Sequence, residues 1–216
     1  DVPVITGGFS SGVALPIAKY MQKQGRLFLL ATPTSPLFKD VGDFQMSVTV
    51  LDTFKGAAIA EMVNEDSDAQ TIALAFMNNA FGQELRKATE RNLERLGKEV
   101  VTVVNYELNK SDYRPEIERL YSQEPDAIIG TFYATEGLVW AKQAYQMGRR
   151  DMNETQWYVP EMTTSFASAL EENPEILEGV KGLDPLQPKQ LFGEKFKERK
   201  GREPVTAFAG QWYDAL

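Results

Sequence analysis

The chain has 216 residues, 43% hydrophobic and 25% charged, an ordinary globular composition with length for one large domain or two small ones. Its net charge of −8 argues against a nucleic-acid binder, which needs a basic stripe, and its longest apolar runs, such as LFLLA, are too short to span a bilayer. The absence of cysteine excludes disulfides and thiolate chemistry, and the absence of histidine removes the commonest general base and zinc ligand. No signal-peptide pattern is visible, which leaves a cytosolic chain and a processed secreted one both open.

Strand-like and helical patterns alternate almost from end to end. VPVIT reads as a short buried strand, followed by the small-residue loop GGFSSG and a helix near Gly12 to Gln24. RLFLLA is a second strand and TPTSP the turn after it. FQMSVTV leads into the helix DTFKGAAIAEMVNE, whose Phe54, Ala57, Ala58 and Met62 share one face. TIALAFM is a buried strand, followed by NNAFG and the helix QELRKATERNLERLG, with Gly97 as its C′ residue. EVVTVVNY, a helix around Pro115 to Gln123, DAIIGTFY, a helix from about Glu136 to Met147, and QWYVPE complete the repeated β-α pattern. After Pro188 the text is helical again, through LFGEKFKERKG and TAFAGQWYDAL. Apolar strands alternating with helices predict α/β architecture, a parallel sheet covered by helices on both faces.

In such sheets ligands bind outside the carboxyl ends of the strands. That rule selects the loops Gly8–Gly12, Thr32–Ser35, Asn78–Gly82, Phe132–Thr135 and Glu161–Thr164. Ser10, Ser11, Thr32 and Thr34 place hydroxyls beside backbone N–H groups, a setting suited to a carboxylate or other small anion. The same residues are also ordinary N-caps and turn formers. Gly8-Phe9-Ser10-Ser11-Gly12 matches the nucleophile-elbow pattern G-x-S-x-G, so a serine hydrolase acting through Ser10 is a remote alternative. A Ser-His-Asp triad cannot be assembled from these residues. Neither a phosphate-cradling G-x-x-x-x-G-K-[ST] nor a dinucleotide G-x-G-x-x-G is present. Glu161, after the strand QWYV, suits either an ammonium partner or a cap. Phe81 and Tyr133 suit either a pocket wall or the core. The run ELRKATERNLER reads as a solvated helix face with i,i+4 ion pairs.

GGFSSGVALPIA, LLATPTSP, NNAFGQEL, SDYRPEIERL, DAIIGTFYATEG and YVPE occur in one particular order. Together they resemble the type I periplasmic solute-binding proteins of the leucine/isoleucine/valine-binding branch, which serve ABC importers. The resemblance covers essentially the whole chain and rests on order and spacing rather than on one motif. It implies a two-lobed α/β fold joined by a hinge that closes on its ligand, with no enzymatic activity and no cofactor or metal. Residues 1–51 would be the first lobe, 52–184 the second and 185–216 the return to the first. The crossings would fall near Val50–Thr53 and Gly182–Pro188. Members of the family begin before VPVIT and continue past WYDAL, so the first lobe is expected to be incomplete here.

Carried over position by position, the resemblance gives Ser11 and Thr34 to the carboxylate of an amino acid. The backbone at Thr32 and the carboxylate of Glu161 would hold its α-ammonium. Phe81 stands where the family often has tyrosine. The ligand-facing aromatic aligns with Ala134, one place from Tyr133, which suggests a roomier pocket. The implied function is an extracytoplasmic receptor for a branched-chain or other hydrophobic amino acid. A small aromatic or aliphatic acid, or an amide, on the same fold is the alternative, either in transport or in a sensor domain. The implied partners are a small-molecule ligand and a membrane ABC permease, with no nucleic acid. The implied state is a monomer that is periplasmic or lipid-anchored outside the cell membrane.

Overall fold

The computed structural model describes residues 2–149, 155–161, 174–184, 191–204 and 208–215. The chain divides into two compact units, residues 1–52 with 185–216 and residues 53–184. The segment 185–190, on which most of the expected return crossing falls, lies outside the described residues, as do 162–164 of the fifth expected loop.

The first unit carries strands β1 (Val4–Thr6), β2 (Leu27–Leu30) and β3 (Gln45–Ser47), paired in parallel in the order β1-β2-β3. Helix α1 (Ser11–Lys23) buries Ser11, Ala14, Ala18 and Met21 on one face, and the last three pack with Phe28, Leu30 and Phe38. VPVIT does not form the buried strand its composition suggests. β1 lies at the edge of its sheet, and Val2, Val4 and Ile5 are exposed. Apolar content marks strand propensity there, whereas burial depends on what the sheet is packed against.

The second unit holds a five-stranded, all-parallel sheet in the order β5-β4-β6-β7-β8. Its strands are β4 (Thr71–Met77), β5 (Glu99–Tyr106), β6 (Ala127–Gly130), β7 (Gln156–Val159) and β8 (Lys181–Gly182). β4 is an interior strand between β5 and β6, and every residue from Ile72 to Met77 is fully buried, the continuous apolar run of a strand covered on both sides. Helices α2 (Asp52–Asp66), α3 (Ala80–Arg95), α4 (Arg114–Tyr121) and α5 (Ala134–Gln146) flank it. Two further helices, α6 (Leu191–Lys200) and α7 (Phe208–Asp214), belong to the first unit. β8 has two residues and no readable hydrophobic pattern; only its pairing with β7 defines it.

One helix face differs from expectation. In α2 the buried side carries Gly56, Ile59, Ala60 and Val63, while Phe54 is 68% exposed. Gly56 decides the orientation. A Cβ there would stand 2.6 Å from the Cβ of Ala88 and 2.7 Å from its carbonyl carbon, so α2 and α3 approach backbone to backbone at this point. The apolar face of Phe54 and Ala58 cannot offer that approach.

The solvated side of α3 is as expected, with Arg86–Glu90 and Lys87–Glu84 pairs at 2.6 and 2.7 Å. Gly97 has φ +74°, its N–H donates to the Glu94 carbonyl, and the Lys98 N–H donates to that of Leu93. This is the Schellman closure, in which a left-handed residue lets the last carbonyls be satisfied. Gly25 and Gly148 end α1 and α5 in the same way. Among the described residues no helix is long and apolar enough to cross a membrane.

Candidate functional site

The expected site loops are largely the first turns of helices. Ser11 opens α1, Phe81 is the second residue of α3, and Ala134 opens α5. α5 begins two residues before the expected start. Tyr133 is extended at its N-cap, with φ −76° and ψ 158°, and its carbonyl accepts from the Gly137 N–H at 2.8 Å. Each helix follows a parallel strand directly, so the chain delivers these residues to the carboxyl edge of the sheet.

In the first unit the structure joins the two hydroxyl-rich loops. Ser11, 2% exposed, accepts at Oγ from the Thr34 and Ser35 backbone N–H groups, each at 3.2 Å. The Thr32 hydroxyl donates to the Phe9 carbonyl at 3.0 Å, and the Thr34 carbonyl accepts from the Asp52 N–H at 2.9 Å. Ser35, the last residue of the second selected loop and not among the named candidates, accepts at Oγ from the Leu37 N–H at 3.3 Å and caps a 3-10 turn, Pro36–Asp40. Ser10 occupies the N-cap position of α1. Its carbonyl accepts from Val13 and Ala14, and its side chain makes no capping hydrogen bond. Gly8, at φ +73°, is required by this packing, because a Cβ on it would come within 2.7 Å of the Ala14 Cβ. A serine hydroxyl has two acceptor sites and one hydrogen. With both acceptor sites of Ser11 engaged, its chemistry is that of an O–H donor, polarised by two N–H groups and held in a buried frame.

In the second unit the structure gathers Phe81, Tyr133 and Glu161 around a residue that the sequence reading missed. The Phe81 and Tyr133 rings are stacked, with centroids 6.3 Å apart and planes 11° from parallel. The Lys55 ammonium lies 5.6 Å from the Phe81 ring centroid and forms an ion pair with Glu161 Oε1. Both partners are largely withdrawn from water, with side-chain exposures of 12% and 9%. Lys55 comes from the first turn of α2, and Glu161 follows β7 by two residues. A signal for Lys55 existed. A cation in a helix's first turn opposes the macrodipole, so DTFK asks for a nearby acid. Ala134 is half-buried beside Tyr133.

Behind these residues lies a rigid aromatic wall. Trp140 meets Tyr106, Tyr113 and Phe132 with ring centroids 5.3, 5.4 and 5.2 Å away. The Tyr106 hydroxyl donates to the Thr131 carbonyl at 2.5 Å, and the Thr131 N–H donates to the Ala75 carbonyl at 2.9 Å. Burial, above all, pushes the Tyr106 phenol well above its ordinary pKa, with Tyr113 and Glu136 adding to it, so the hydroxyl keeps the proton it donates. The end of β6, and with it Phe132–Tyr133, is therefore pinned from beneath. Among the described residues no group of three or more His, Cys, Asp or Glu side chains is placed to hold a metal ion.

Comparison with known proteins agrees with this architecture. The Leu/Ile/Val-binding protein of Citrobacter freundii is 22% identical over 220 residues, covering 100% of this chain and 59% of its own. The crystal structure of the leucine-binding protein LivK of Thermotoga maritima superposes with a TM-score of 0.86 at 24% identity, covering 99% of this chain and 61% of that one. A Rhodopseudomonas palustris solute-binding protein in complex with 4-hydroxybenzoate superposes with a TM-score of 0.79 at 16% identity, covering 99% of this chain and 60% of that one. The chain thus spans about three-fifths of the length of these relatives. Residues 1–216 match the periplasmic binding protein family throughout, and the chain belongs to that family.

Proposed function

We propose that this chain is the ligand-recognising part of an extracytoplasmic solute-binding receptor of an ABC importer. It is monomeric, periplasmic or lipid-anchored, it delivers its solute to a membrane permease, and it catalyses no reaction. The solute is a small organic molecule with a carboxylate, an amino acid in the first reading. The observation that carries this is Ser11: a buried hydroxyl whose acceptor sites are both engaged and whose hydrogen is suited to an anion. Charge-assisted hydrogen bonds of this kind contribute roughly 1.5–3 kcal/mol each. Thr34 joins Ser11 at the carboxylate, and the Thr32 backbone faces the amine of an amino acid. Phe81, Tyr133, Ala134 and Glu161 receive the rest of the solute.

A second reading has a specific observation in its favour. Glu161 already carries a cation, Lys55, so a solute without an amine leaves no naked carboxylate opposite its own. Among the similar structures, one was solved with isoleucine and another with 4-hydroxybenzoate, so the family accommodates both chemistries. A thermal-shift panel of amino acids beside their deaminated acids tests the receptor reading. A solute at about 100 times its dissociation constant adds roughly 2.7 kcal/mol of stability. Ser11→Ala is expected to abolish the shift, and a panel with no stabilising solute overturns the reading.

A further inference from the structure

We propose that Lys55 is a specificity-determining residue, an internal ammonium that sets this site against ligand amines and toward carboxylic acids that lack one. The inference rests on the receptor reading and deepens it. Lys55 is held from two sides, by Glu161 Oε1 and by the face of Phe81 at 5.6 Å, and Phe81 is itself stacked on Tyr133. The pair is about nine-tenths removed from water, so its field is little screened by salt. Lys55 also stands in the first turn of α2, where the helix dipole opposes a cation, and Glu161 offsets that opposition.

The sign of the effect follows from charge alone. An amine brought to Glu161 meets a second ammonium within roughly 4–6 Å, a like-charge contact that at an effective dielectric of about 20 is worth tenfold or more in affinity. A neutral ring or hydroxyl meets no such repulsion and can lie against the Phe81–Tyr133 stack or accept from the Lys55 N–H groups. Whichever Glu161 oxygen a ligand approaches, Lys55 weakens amines relative to their amine-free counterparts.

The test is calorimetric titration of the full-length protein, wild type, Lys55→Gln and Lys55→Arg. The probes are leucine beside 4-methylpentanoate, phenylalanine beside 3-phenylpropanoate, and 4-hydroxybenzoate. The expected result is that the wild type holds the amine-free member of a pair more tightly. Lys55→Gln should move the ratio of the two dissociation constants about tenfold or more toward the amino acid, and Lys55→Arg should keep the wild-type ratio. A ratio unchanged within about twofold in Lys55→Gln, with binding retained, overturns the role of Lys55 and leaves the receptor reading standing. If Lys55→Gln does not fold, the wild type decides by itself: tighter binding of leucine or phenylalanine than of its deaminated partner overturns the proposal. Failure of every probe on both the wild type and Lys55→Arg removes the receptor reading and this proposal with it.

Discussion

The Ser11 loop of the first unit and the Glu161 group of the second solve opposite problems with opposite materials. At Ser11 the hydrogen bonds are between neutral groups: one hydroxyl, two backbone N–H groups at 3.2 Å, and a nearby threonine tied to a carbonyl. Around Glu161 a full ion pair is folded against two stacked rings, on a wall built from Tyr106, Tyr113, Phe132 and Trp140. Neutral dipoles accept an anion with little cost when it leaves, because nothing buried is then left charged. A buried carboxylate has no such freedom and needs a resident cation in the absence of a ligand. Among the described residues the neutral loop sits beside the smaller cluster of Ala14, Ala18, Met21, Phe28, Leu30 and Phe38, and the charged group beside the larger core of the second unit.

The largest expected effect breaks the aromatic wall. Trp140→Ala should destabilise the second unit by about 3–5 kcal/mol, with amide exchange accelerated in β4 and β6 and unchanged in β2. Among the described residues the indole N–H of Trp140 has no hydrogen-bond partner, so Trp140→Phe should cost only the volume difference, about 1–2 kcal/mol. Next comes Ser11→Ala, which leaves the Thr34 and Ser35 N–H groups buried without an acceptor. A loss of about 1–3 kcal/mol is expected in thermal unfolding, with amide exchange accelerated in the first unit alone. Gly56→Ala pits two terms against each other. Helix propensity gains about 1 kcal/mol, but a Cβ at 2.6 Å from Ala88 forces backbones apart, so a net loss of about 1–2 kcal/mol is expected in urea denaturation.

The smallest effect concerns Asp126, just before β6. Its Oδ2 accepts from the Thr71 and Gln70 N–H groups and from the Thr71 hydroxyl, each at 2.8 Å. The Thr71 N–H first, then that of Gln70, holds this carboxyl below its ordinary pKa. A lowered folded pKa contributes stability that is fully present above the ordinary carboxylate value and is lost as pH falls through the lowered folded value. Stability should therefore drop as the pH falls below about 5, and Asp126→Asn should flatten that limb while costing about 1 kcal/mol at neutral pH. A steep acid limb retained in Asp126→Asn would assign the effect to other carboxylates, with Asp66 the first to examine. Hydrogen bonds from Lys181 and then Tyr158 also hold Asp66 below its ordinary value.

Residues whose neighbours are close in the chain were the legible ones. TIALAFM and EVVTVVNY form β4 and β5 residue for residue, the first because a doubly covered parallel strand writes itself as an unbroken apolar run, the second through its β-branched valines and threonine on a half-buried edge. The Gly97 closure was legible for the same reason, since its hydrogen bonds span only a few residues. Ser11, Thr32 and Thr34 were identifiable as candidates from their strand-loop-helix setting. That Ser11 bonds the backbone of Thr34 and Ser35 was not, because nothing in either loop specifies the other. The same holds for Lys55 and Glu161, which are 106 residues apart.

The sequence by itself determined the alternation of strands and helices, the parallel architecture and the helix starts that carry small residues and hydroxyls. It did so because hydrophobic period, turn chemistry and capping act within a few residues. Only the tertiary structure decided that α2 turns Gly56 inward rather than Phe54, that β1 is an exposed edge, and that Glu161 meets Lys55 before it meets any ligand. Those outcomes depend on which backbones can approach and which charges are buried together, and no local pattern encodes either.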